Sequence, residues 1–407
     1  MTTVPVIADR LNQWQHESQG PWRLLAFPTY RCNVNCGICI RNCFEKPNYL
    51  FHELTDERWL RLVDEAGSLG VRSFVIGGGG EPTLRADLVT AMCVKAKQYG
   101  MEGRLQTNGT GLSQEMIETL IKAGWDTLSI SLDGPDEASN DFIRYKGAFC
   151  KTLATLETLR STKDKYRSDV PLVSVHLTIT AQNYNRLEDM IDLCIDKGID
   201  MFAASPLVEN DLEGRGYILN TEQRAALPGY IEGAIKKADA LNFPHTLHNL
   251  LMLVQADKDK HFKAENMATC QADSEDLCTA HCLEPWTGIA IDSSGHVSPC
   301  CYLSDERSQS IRDMSLAEVW NGAYMTQFRK TMLEGQLRDE CRYCSFPSGE
   351  EHVDLKKAVQ ALSSTPKKRA VLNRLVSSIR NYGLRGSYKR YKEWRLIQQR
   401  LRNEKSH

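Results

Sequence analysis

The sequence predicts an α/β protein built on a parallel β-sheet, followed by a smaller cysteine-rich unit and a basic helical tail. Three observations lead to this prediction. Short apolar runs alternate with helix-like segments over the first two hundred residues, glycine-rich and polar strings follow several of those runs, and the cysteines form two separate groups. A chain of 407 residues with 42% hydrophobic and 25% charged residues has a globular composition and room for two domains.

The strand–helix units are predicted from apolar runs and from the residues that begin and end helices. Thr55 is expected to cap the first helix, because Asp56 and Glu57 follow in its first turn. Gly100 and Gly124 are expected to end later helices in the left-handed conformation. Alternating strands and helices imply parallel pairing through right-handed crossovers. We predict strands at residues 22–27, 73–76, 103–106, 127–132, 172–180 and 201–204, and helices at 55–70, 88–99, 113–123, 151–159 and 187–197.

Composition and charge divide the chain into five segments. We predict a polar lead-in over residues 1–21, the α/β domain over 22–209, a helical linker over 210–265, the cysteine-rich module over 266–350 and a basic tail over 351–407. Between Lys367 and Lys405 the tail has thirteen Lys or Arg and two Glu, a net charge of +11, whereas the whole chain carries −2. The tail either packs on the α/β domain with a solvated basic side, or meets a membrane surface or an anionic partner; nucleic acid is not favoured.

The number of cysteines and the composition of the first residues indicate in which cellular compartment the protein is expected. Fourteen cysteines would suggest disulfides in a secreted chain, but the first 19 residues are polar and mixed rather than charged and then apolar. No apolar run approaches the ~20 residues of a spanning helix. We therefore expect a cytoplasmic protein whose cysteines serve metal–thiolate chemistry.

The first cysteine group has the spacing C-x3-C-x2-C. Cys32, Cys36 and Cys39 can hold three irons of a [4Fe–4S] cluster and leave the fourth iron open to an outside molecule. Cys43 lies four residues further on and could be mistaken for the fourth ligand. The alternative is a zinc site, although zinc sites more often show two C-x2-C pairs.

This loop resembles the cluster loop of the radical S-adenosylmethionine (SAM) superfamily. The resemblance implies a partial (β/α)6 TIM-like barrel in which SAM chelates the open iron through its amino and carboxylate groups. An electron from the cluster then cleaves SAM to methionine and a 5′-deoxyadenosyl radical. The family usually has an aromatic residue before the third cysteine, where this chain has Ile38, which would contact adenine through its backbone.

A glycine string follows the second predicted strand, where barrel enzymes place active-site residues. Gly77-Gly78-Gly79-Gly80-Glu81-Pro82-Thr83 has no Lys-Ser/Thr after it, so it does not match a P-loop. It resembles the Gly-Gly-Glu-Pro motif of the family, and on that match Gly79, Gly80 and Glu81 bind the methionine ammonium of SAM. The alternative is an ordinary glycine turn.

Polar strings also follow the third and fourth strands. The family has similar strings here, and the resemblance implies that they bind the ribose or carboxylate of SAM; ordinary turns are the alternative. The residues concerned are Thr107, Asn108, Ser129, Ser131, Asp133 and Arg144. His176, Thr178 and Thr180 share one face of the fifth strand, and residues 204–207 at the end of the sixth are placed to touch adenine.

The second cysteine group contains Cys282, Cys300, Cys341 and Cys344, which could bind zinc or an iron–sulfur cluster. Its spacing resembles the auxiliary-cluster modules of radical SAM enzymes, called SPASM and, in shortened form, twitch. No cysteine follows Cys344, so the twitch form with one cluster is expected. Four cysteine ligands leave no open iron, which favours electron transfer. The arrangement is most similar to that of 2-deoxy-scyllo-inosamine dehydrogenase, an aminocyclitol oxidase.

Three cysteines remain unassigned in and before this module. Cys301 is adjacent to Cys300 and cannot easily bind the same cluster, while Cys270 and Cys278 precede the module. They are either structural thiols or, if one donates a hydrogen atom, evidence for an epimerase.

The resemblance therefore implies a radical SAM oxidoreductase with SAM and two [4Fe–4S] clusters, reduced by a flavodoxin or ferredoxin. We expect hydrogen abstraction from an unactivated carbon of a hydroxylated small molecule (a sugar, aminocyclitol or sugar nucleotide), followed by electron transfer to the auxiliary cluster. Three alternatives stay open: a redox-neutral epimerase with a cysteine donor, a SPASM-type peptide maturase, and a non-catalytic electron-transfer or zinc-binding scaffold.

Overall fold

A computed structural model describes residues 4–14, 19–39, 41, 48–208, 212, 214–258, 277, 280–303, 305–342, 344 and 350–363. Cys43, Cys270, Cys278 and the basic tail from residue 364 onward lie outside the described residues. Within the described ranges, none of the helices combines the length and the apolar character needed to cross a membrane.

The described strands form one eight-stranded sheet in the order β6-β5-β4-β3-β2-β1-β7-β8. Strands β1 to β6 pair in parallel in chain order, as the strand–helix alternation predicts, and β7 pairs in parallel with the other edge of β1. The strands are β1 (Arg23–Ala26), β2 (Ser73–Ile76), β3 (Glu102–Thr107), β4 (Thr127–Ser131), β5 (Leu172–Ile179), β6 (Met201–Pro206), β7 (Gly288–Ile291) and β8 (Val297–Ser298).

Helices connect the strands and cover one face of the sheet. Those of the barrel are α2 (Asp56–Ser68), α3 (Ala86–Gln98), α4 (Gln114–Ala123), α5 (Glu137–Ile143), α6 (Ala148–Tyr166), α7 (Leu187–Asp196), α8 (Thr221–Ala240) and α9 (Leu247–Lys258). The others are α1 (Val4–Trp14), α10 (Glu284–Thr287), α11 (Leu316–Trp320), α12 (Ala323–Leu333), α13 (Asp339–Arg342) and α14 (Glu350–Ser363).

Local signals in the sequence account for most helix boundaries. The Thr55 side chain accepts a hydrogen bond from the Arg58 N–H and caps α2, as predicted. Gly124 ends α4 at φ 69°, in the left-handed region that glycine occupies without steric cost. The predicted strand at residues 103–106 is confirmed as β3, one residue longer at each end.

The two faces of the sheet differ in chemistry. Apolar side chains such as Leu24, Phe74, Leu105 and Ile130 are fully buried against the helices and form the main core. The side chains that alternate with them point to the concave face, which is the inside of the partial barrel. Several of these inward side chains are polar: Arg104, Gln106, Ser129, Ser131, Ser174, His176, Thr178 and Ser205.

The cysteine-rich module is joined to the barrel through the sheet itself. In the β1–β7 pairing Arg23 lies opposite Gly288 and Ala26 opposite Ile291, so the module continues the barrel sheet past β1. A second, smaller core surrounds its cysteines and includes Leu11 of α1 and Val359 of α14. The predicted lead-in is therefore helical over Val4–Trp14 and packs with the module. The segment is polar overall, so its composition did not predict that one narrow face of this helix is buried.

Candidate active site

The first cysteine loop lies just past the carboxyl end of β1. The Gly37 N–H donates to the Ile143 carbonyl at 2.8 Å, which ties the loop to the end of α5. The Cys39 N–H donates to the Cys36 carbonyl at 3.2 Å, so a tight turn brings these two cysteines together. The three predicted ligands thus lie in one loop held by neighbouring segments.

The chemistry of this donor set fits a bound cationic cluster. Burial raises the pKa of Cys36 to about 11, and the nearby Cys39 and Cys32 act in the same direction, while Arg144 opposes them. Burial also raises the pKa of Cys32. Clustered thiolates of this kind are stabilised when a metal centre compensates their negative charge. The three thiols would hold an iron–sulfur cluster, and the ligand role of each stays a prediction.

The glycine string packs against the cysteine loop, and its conformation requires glycine. Gly78 and Gly79 have φ values of 95° and 67°, in the left-handed region that L-residues with a side chain disfavour. A Cβ at Gly80 would lie 1.9 Å from the Arg31 carbonyl oxygen. The Gly80 N–H donates to the Thr29 carbonyl at 2.9 Å, and the Glu81 N–H donates to the Arg31 carbonyl at 2.8 Å. The string therefore positions the residues that lead into Cys32.

Glu81 links the loops that follow β2 and β3. Its side chain is buried, and Oε1 accepts hydrogen bonds from the Thr83 N–H at 3.1 Å and from the hydroxyls of Thr83 and Thr107 at 2.7 and 2.6 Å. Oε2 accepts from the Asn108 N–H at 2.8 Å. These contacts give the carboxylate a clear structural role beside the predicted contact with the methionine ammonium.

Asn108 connects the β3 loop to the cysteine loop. Its Nδ2 donates to Oδ1 of Asn33 at 2.9 Å, and Asn33 Nδ2 donates to the Thr110 hydroxyl at 2.9 Å. Asn33 lies between Cys32 and Cys36, and no local pattern in the sequence marks it as a functional residue. It therefore anchors the middle of the cysteine loop to the third strand.

The predicted residues of the β4 loop are also brought to this end of the barrel. Asp133 is fully buried; its Oδ1 accepts from the Thr178 N–H at 2.8 Å, and its Oδ2 lies 2.8 Å from Nε of Arg144. Burial opposes the charged form of Arg144, but the charges of Asp133 and Cys36 outweigh it, and the net effect raises the pKa of Arg144. Arg144 thus already has an internal partner, and its contact with the SAM carboxylate stays a prediction.

Other predicted residues lie on the concave face below these loops. Ser131 of β4 lies opposite His176 of β5, and Thr178 lies opposite Ser205 of β6. Burial lowers the pKa of His176, and the positive charges of Arg144 and Arg104 act in the same direction. The imidazole therefore favours its neutral form inside the barrel.

The second cysteine group surrounds one cavity in the module. Burial raises the pKa of Cys282, with Cys300 and Cys344 acting in the same direction. Burial raises the pKa of Cys300 to about 12. The shared environment again fits thiols that would bind a metal centre. The cavity is lined by Cys282, Cys300, Cys301, Cys341 and Cys344, together with Glu284, Phe328 and Met332 among others.

The two cysteine groups lie at opposite ends of the same pair of strands. The first group follows Ala26, at the carboxyl end of β1, whereas Cys282 and α10 precede Gly288, at the amino end of β7. Four residues of strand separate these ends, which is about 13 Å along the strand. The concave face of the barrel runs from one end to the other.

Besides Asn33, sequence reasoning missed Arg23, Glu284 and Tyr217, which the fold brings to the two cysteine groups. Nη1 of Arg23, on the concave face of β1, lies 3.6 Å from Oε1 of Glu284, beside the second cavity. Tyr217 lies over the first cysteine loop, since a Cβ at Gly37 would be 1.9 Å from its hydroxyl oxygen. Tyr217 belongs to a segment predicted only as a polar linker, and no local pattern links it to the cysteines.

Family comparisons match both units of the chain. Residues 27–194 match the Radical SAM superfamily, and residues 282–345 match SPASM, an iron-sulfur cluster-binding domain. The first match covers the barrel strands from the end of β1 to α7. The second match begins at Cys282 and ends just after Cys344.

Several curated proteins are similar in sequence to most of this chain. Pre-heme d1 synthase of Dinoroseobacter shibae is 28% identical over 312 residues, which is 72% of each chain. AdoMet-dependent heme synthase of Methanosarcina barkeri is 27% identical over 330 residues, 80% of this chain and 88% of that protein. PqqA peptide cyclase of Granulibacter bethesdensis is 27% identical over 330 residues, 80% of this chain and 79% of that protein.

Solved structures share the fold. Streptococcus suis SuiB bound to S-adenosylmethionine superposes with a TM-score of 0.59 at 19% identity, covering 78% of this chain and 70% of that one. Native anSMEcpe with bound AdoMet gives a TM-score of 0.55 at 16% identity, covering 89% and 100%. At sequence identities below 20%, these superpositions show that the fold is shared and nothing more.

Proposed function

The chain carries a radical SAM domain and a SPASM domain, and we propose that it is a radical SAM oxidoreductase that removes hydrogen from an unactivated carbon. The first domain binds SAM and a [4Fe–4S] cluster, and the second binds auxiliary iron–sulfur clusters. When bound, these groups supply the 5′-deoxyadenosyl radical for hydrogen abstraction and a one-electron acceptor.

The residues of this chain hold, orient and shield the reactants. Cys32, Cys36 and Cys39 would hold the SAM-binding cluster, and Cys282, Cys300, Cys341 and Cys344 the auxiliary one. The predicted SAM contacts lie in loops fixed to each other through the Glu81 carboxylate and the Asn108 amide. A fixed site of this kind aligns the reacting C–H bond and keeps water from the radical.

The placement of the two cysteine groups at opposite ends of β1 and β7 carries the proposal. A substrate on the concave face would touch the SAM end with its reacting carbon and lie toward the auxiliary cysteines with its other end. An electron left on the substrate would then have a short path to an acceptor. This favours a two-electron oxidation, with a flavodoxin or ferredoxin as the external reductant.

The substrate is proposed to be a small molecule. The sequence favoured a hydroxylated one, and the relatives include a heme synthase and a pre-heme d1 synthase by name. Modification of a peptide is a second candidate, supported by the similarity to PqqA peptide cyclase over 80% of the chain. The two candidates share the same SAM chemistry and differ in what occupies the concave face.

The first test is metal content and SAM cleavage. Anaerobically reconstituted protein is expected to hold about eight irons and eight sulfides and to form 5′-deoxyadenosine with a low-potential reductant. Changing Cys32, Cys36 and Cys39 together to Ala should leave about four irons and abolish cleavage. The Cys150→Ala variant, which alters an exposed thiol of α6, serves as the matched control. About four irons with stoichiometric zinc in the intact protein would defeat the two-cluster proposal.

The second test separates oxidation from epimerisation once a substrate is found. An oxidation consumes one SAM per product, gives a product two hydrogens lighter and incorporates no solvent deuterium. Cys301 lines the auxiliary cavity and is the described candidate for a thiol donor. An isomeric product that carries one solvent deuterium, lost in Cys301→Ala, would replace oxidation by epimerisation.

A further inference from the structure

Arg104 lies on the concave face of β3, inside the barrel. The residues on either side of it face the helices: a Cβ at Gly103 would lie 2.3 Å from the Trp125 ring, and Leu105 is fully buried in the main core. Successive side chains of a strand point to opposite faces, so Arg104 points into the barrel. Its side chain is exposed there.

Two other arginines near this face have carboxylate partners. Arg23 at the amino end of the barrel lies 3.6 Å from Glu284, and Arg144 at the carboxyl end lies 2.8 Å from Asp133. Arg104 lies between them along the barrel axis. Over the ranges that the structure describes, its guanidinium makes no hydrogen bond or ion pair.

The immediate neighbours of Arg104 do not neutralise it. Strand register places Val75 of β2 and Thr127 of β4 beside it, and both are uncharged. Glu102 shares its face two residues earlier, at the amino end of β3, and no ion pair joins these two described residues. Over the described residues, the concave face therefore presents the Arg104 guanidinium without a neutralising carboxylate.

Arg104 stands on the route from the SAM end to the auxiliary cysteines. It precedes Thr107, whose hydroxyl donates to Glu81, by three residues, which is about 10 Å along the strand. Across the next strand, Gln106 lies level with Ser129. A ligand on Arg104 would thus have neutral hydrogen-bonding groups between it and the SAM end.

We propose that Arg104 binds a carboxylate group of the substrate, so that the substrate is a carboxylic acid whose reacting carbon lies toward the SAM end. A planar guanidinium matches a carboxylate through two parallel hydrogen bonds, and such charge-assisted hydrogen bonds are roughly twice as strong as neutral ones. The inference rests on the proposed function for the position of the reacting carbon. A hydroxylated substrate would then be one that also carries a carboxylate.

The carboxylate site is tested by fluorine NMR titration of the reconstituted, SAM-saturated enzyme with 4-fluorobenzoate. The neutral 4-fluorobenzamide and the phosphorus analogue 4-fluorophenylphosphonate are the comparison probes. Wild-type enzyme is expected to bind the carboxylate more tightly than either. Arg104→Gln should weaken carboxylate binding by at least about tenfold, or ~1.4 kcal/mol, and leave amide binding unchanged. Arg104→Lys should retain part of the affinity.

Two further variants keep the test independent of any folding defect at Arg104. Thr127→Asp retains Arg104 and places a counter-ion beside it, so carboxylate binding should fall to a similar extent. Arg61→Gln changes an arginine whose side chain is 64% exposed on α2 and should leave binding unaltered. Equal binding by wild type and Arg104→Gln, no carboxylate binding in wild type, or tighter binding of the phosphonate would overturn the proposal.

The outcome is separable from that of the proposed function. Probe binding is read without turnover, whereas the proposed function is judged by iron content and 5′-deoxyadenosine formation in wild type. Carboxylate binding through Arg104 in a protein that does not cleave SAM would leave the site standing and remove the radical SAM reaction. Cleavage of SAM with no Arg104-dependent binding would support the radical SAM reaction and overturn the carboxylate site.

Discussion

At the scale of single residues, the buried polar groups of this site already form hydrogen bonds and ion pairs within the protein. Glu81 receives four hydrogen bonds from the loops after β2 and β3. Asp133 and Arg144 are paired with each other. Such internal partners fix each group in place, which lowers the entropic cost of binding SAM.

Glu81→Ala is expected to lower both stability and SAM affinity. The change leaves four donors without their acceptor, namely the N–H groups of Thr83 and Asn108 and the hydroxyls of Thr83 and Thr107, at about 1–3 kcal/mol for each group that stays unsatisfied. We expect a clear fall in the midpoint of thermal unfolding and a tenfold or greater loss of SAM affinity, measured by isothermal titration calorimetry. Glu102→Ala removes an exposed carboxylate of β3 and should change stability by no more than about 0.5 kcal/mol. Wild-type stability and affinity in Glu81→Ala would show that these hydrogen bonds contribute nothing.

At the scale of elements, the glycine string and the cysteine loop form one unit. The backbone of Gly80 approaches the Arg31 carbonyl so closely that no side chain fits between them. Two backbone hydrogen bonds, from Gly80 and Glu81, join the string to residues 29 and 31. The conformation of the cysteine loop therefore depends on a segment about 45 residues away in sequence.

Gly80→Ala should displace the cysteine loop and lower the iron content. The added Cβ meets a backbone oxygen, which cannot move aside as a flexible side chain could. The reconstituted variant is expected to lose about four of about eight irons, together with SAM cleavage. Gly229→Ala introduces the same methyl group in α8, where nothing lies within 4 Å, and should retain all the iron. Full iron content in Gly80→Ala would show that the two segments move independently.

At the scale of the whole molecule, the two ends of the described chain converge on the auxiliary site. Helices α1 and α14 pack together, and their buried faces join the second core around Cys282 and Cys300. Strand β7 fixes this core to the barrel through β1. The auxiliary site thus depends on segments separated by more than three hundred residues.

Leu11→Ala should weaken the auxiliary site and spare the SAM-binding site. Leu11 is 1% exposed in the second core, and truncation of a buried leucine costs about 2–5 kcal/mol through lost burial and the cavity left behind. We expect the variant to lose the iron of the auxiliary cluster and to retain SAM cleavage. The loss is measured by electron paramagnetic resonance of the reduced protein. Val6→Ala on the same helix removes a side chain that is 56% exposed and is the matched control. Equal loss of both clusters would show that the second core does not act separately.

The sequence by itself determined the order of strands and helices, the parallel sheet and the two cysteine groups. These depend on short-range patterns: capping residues, apolar runs, glycines at helix ends and the close spacing of Cys32, Cys36 and Cys39. Such patterns are local in the chain, and the physical forces behind them act over a few residues.

Only the tertiary structure decided which distant residues share a site. It paired β7 with β1, placed α1 beside the module, set Tyr217 over the cysteine loop and put Arg104 on the concave face without a carboxylate partner among the described residues. The physical reason is that β-sheet register and side-chain burial depend on partners far away in the chain. The charge of Arg104 is visible in the sequence, but its lack of a carboxylate partner within the described part of the chain depends on every strand around it.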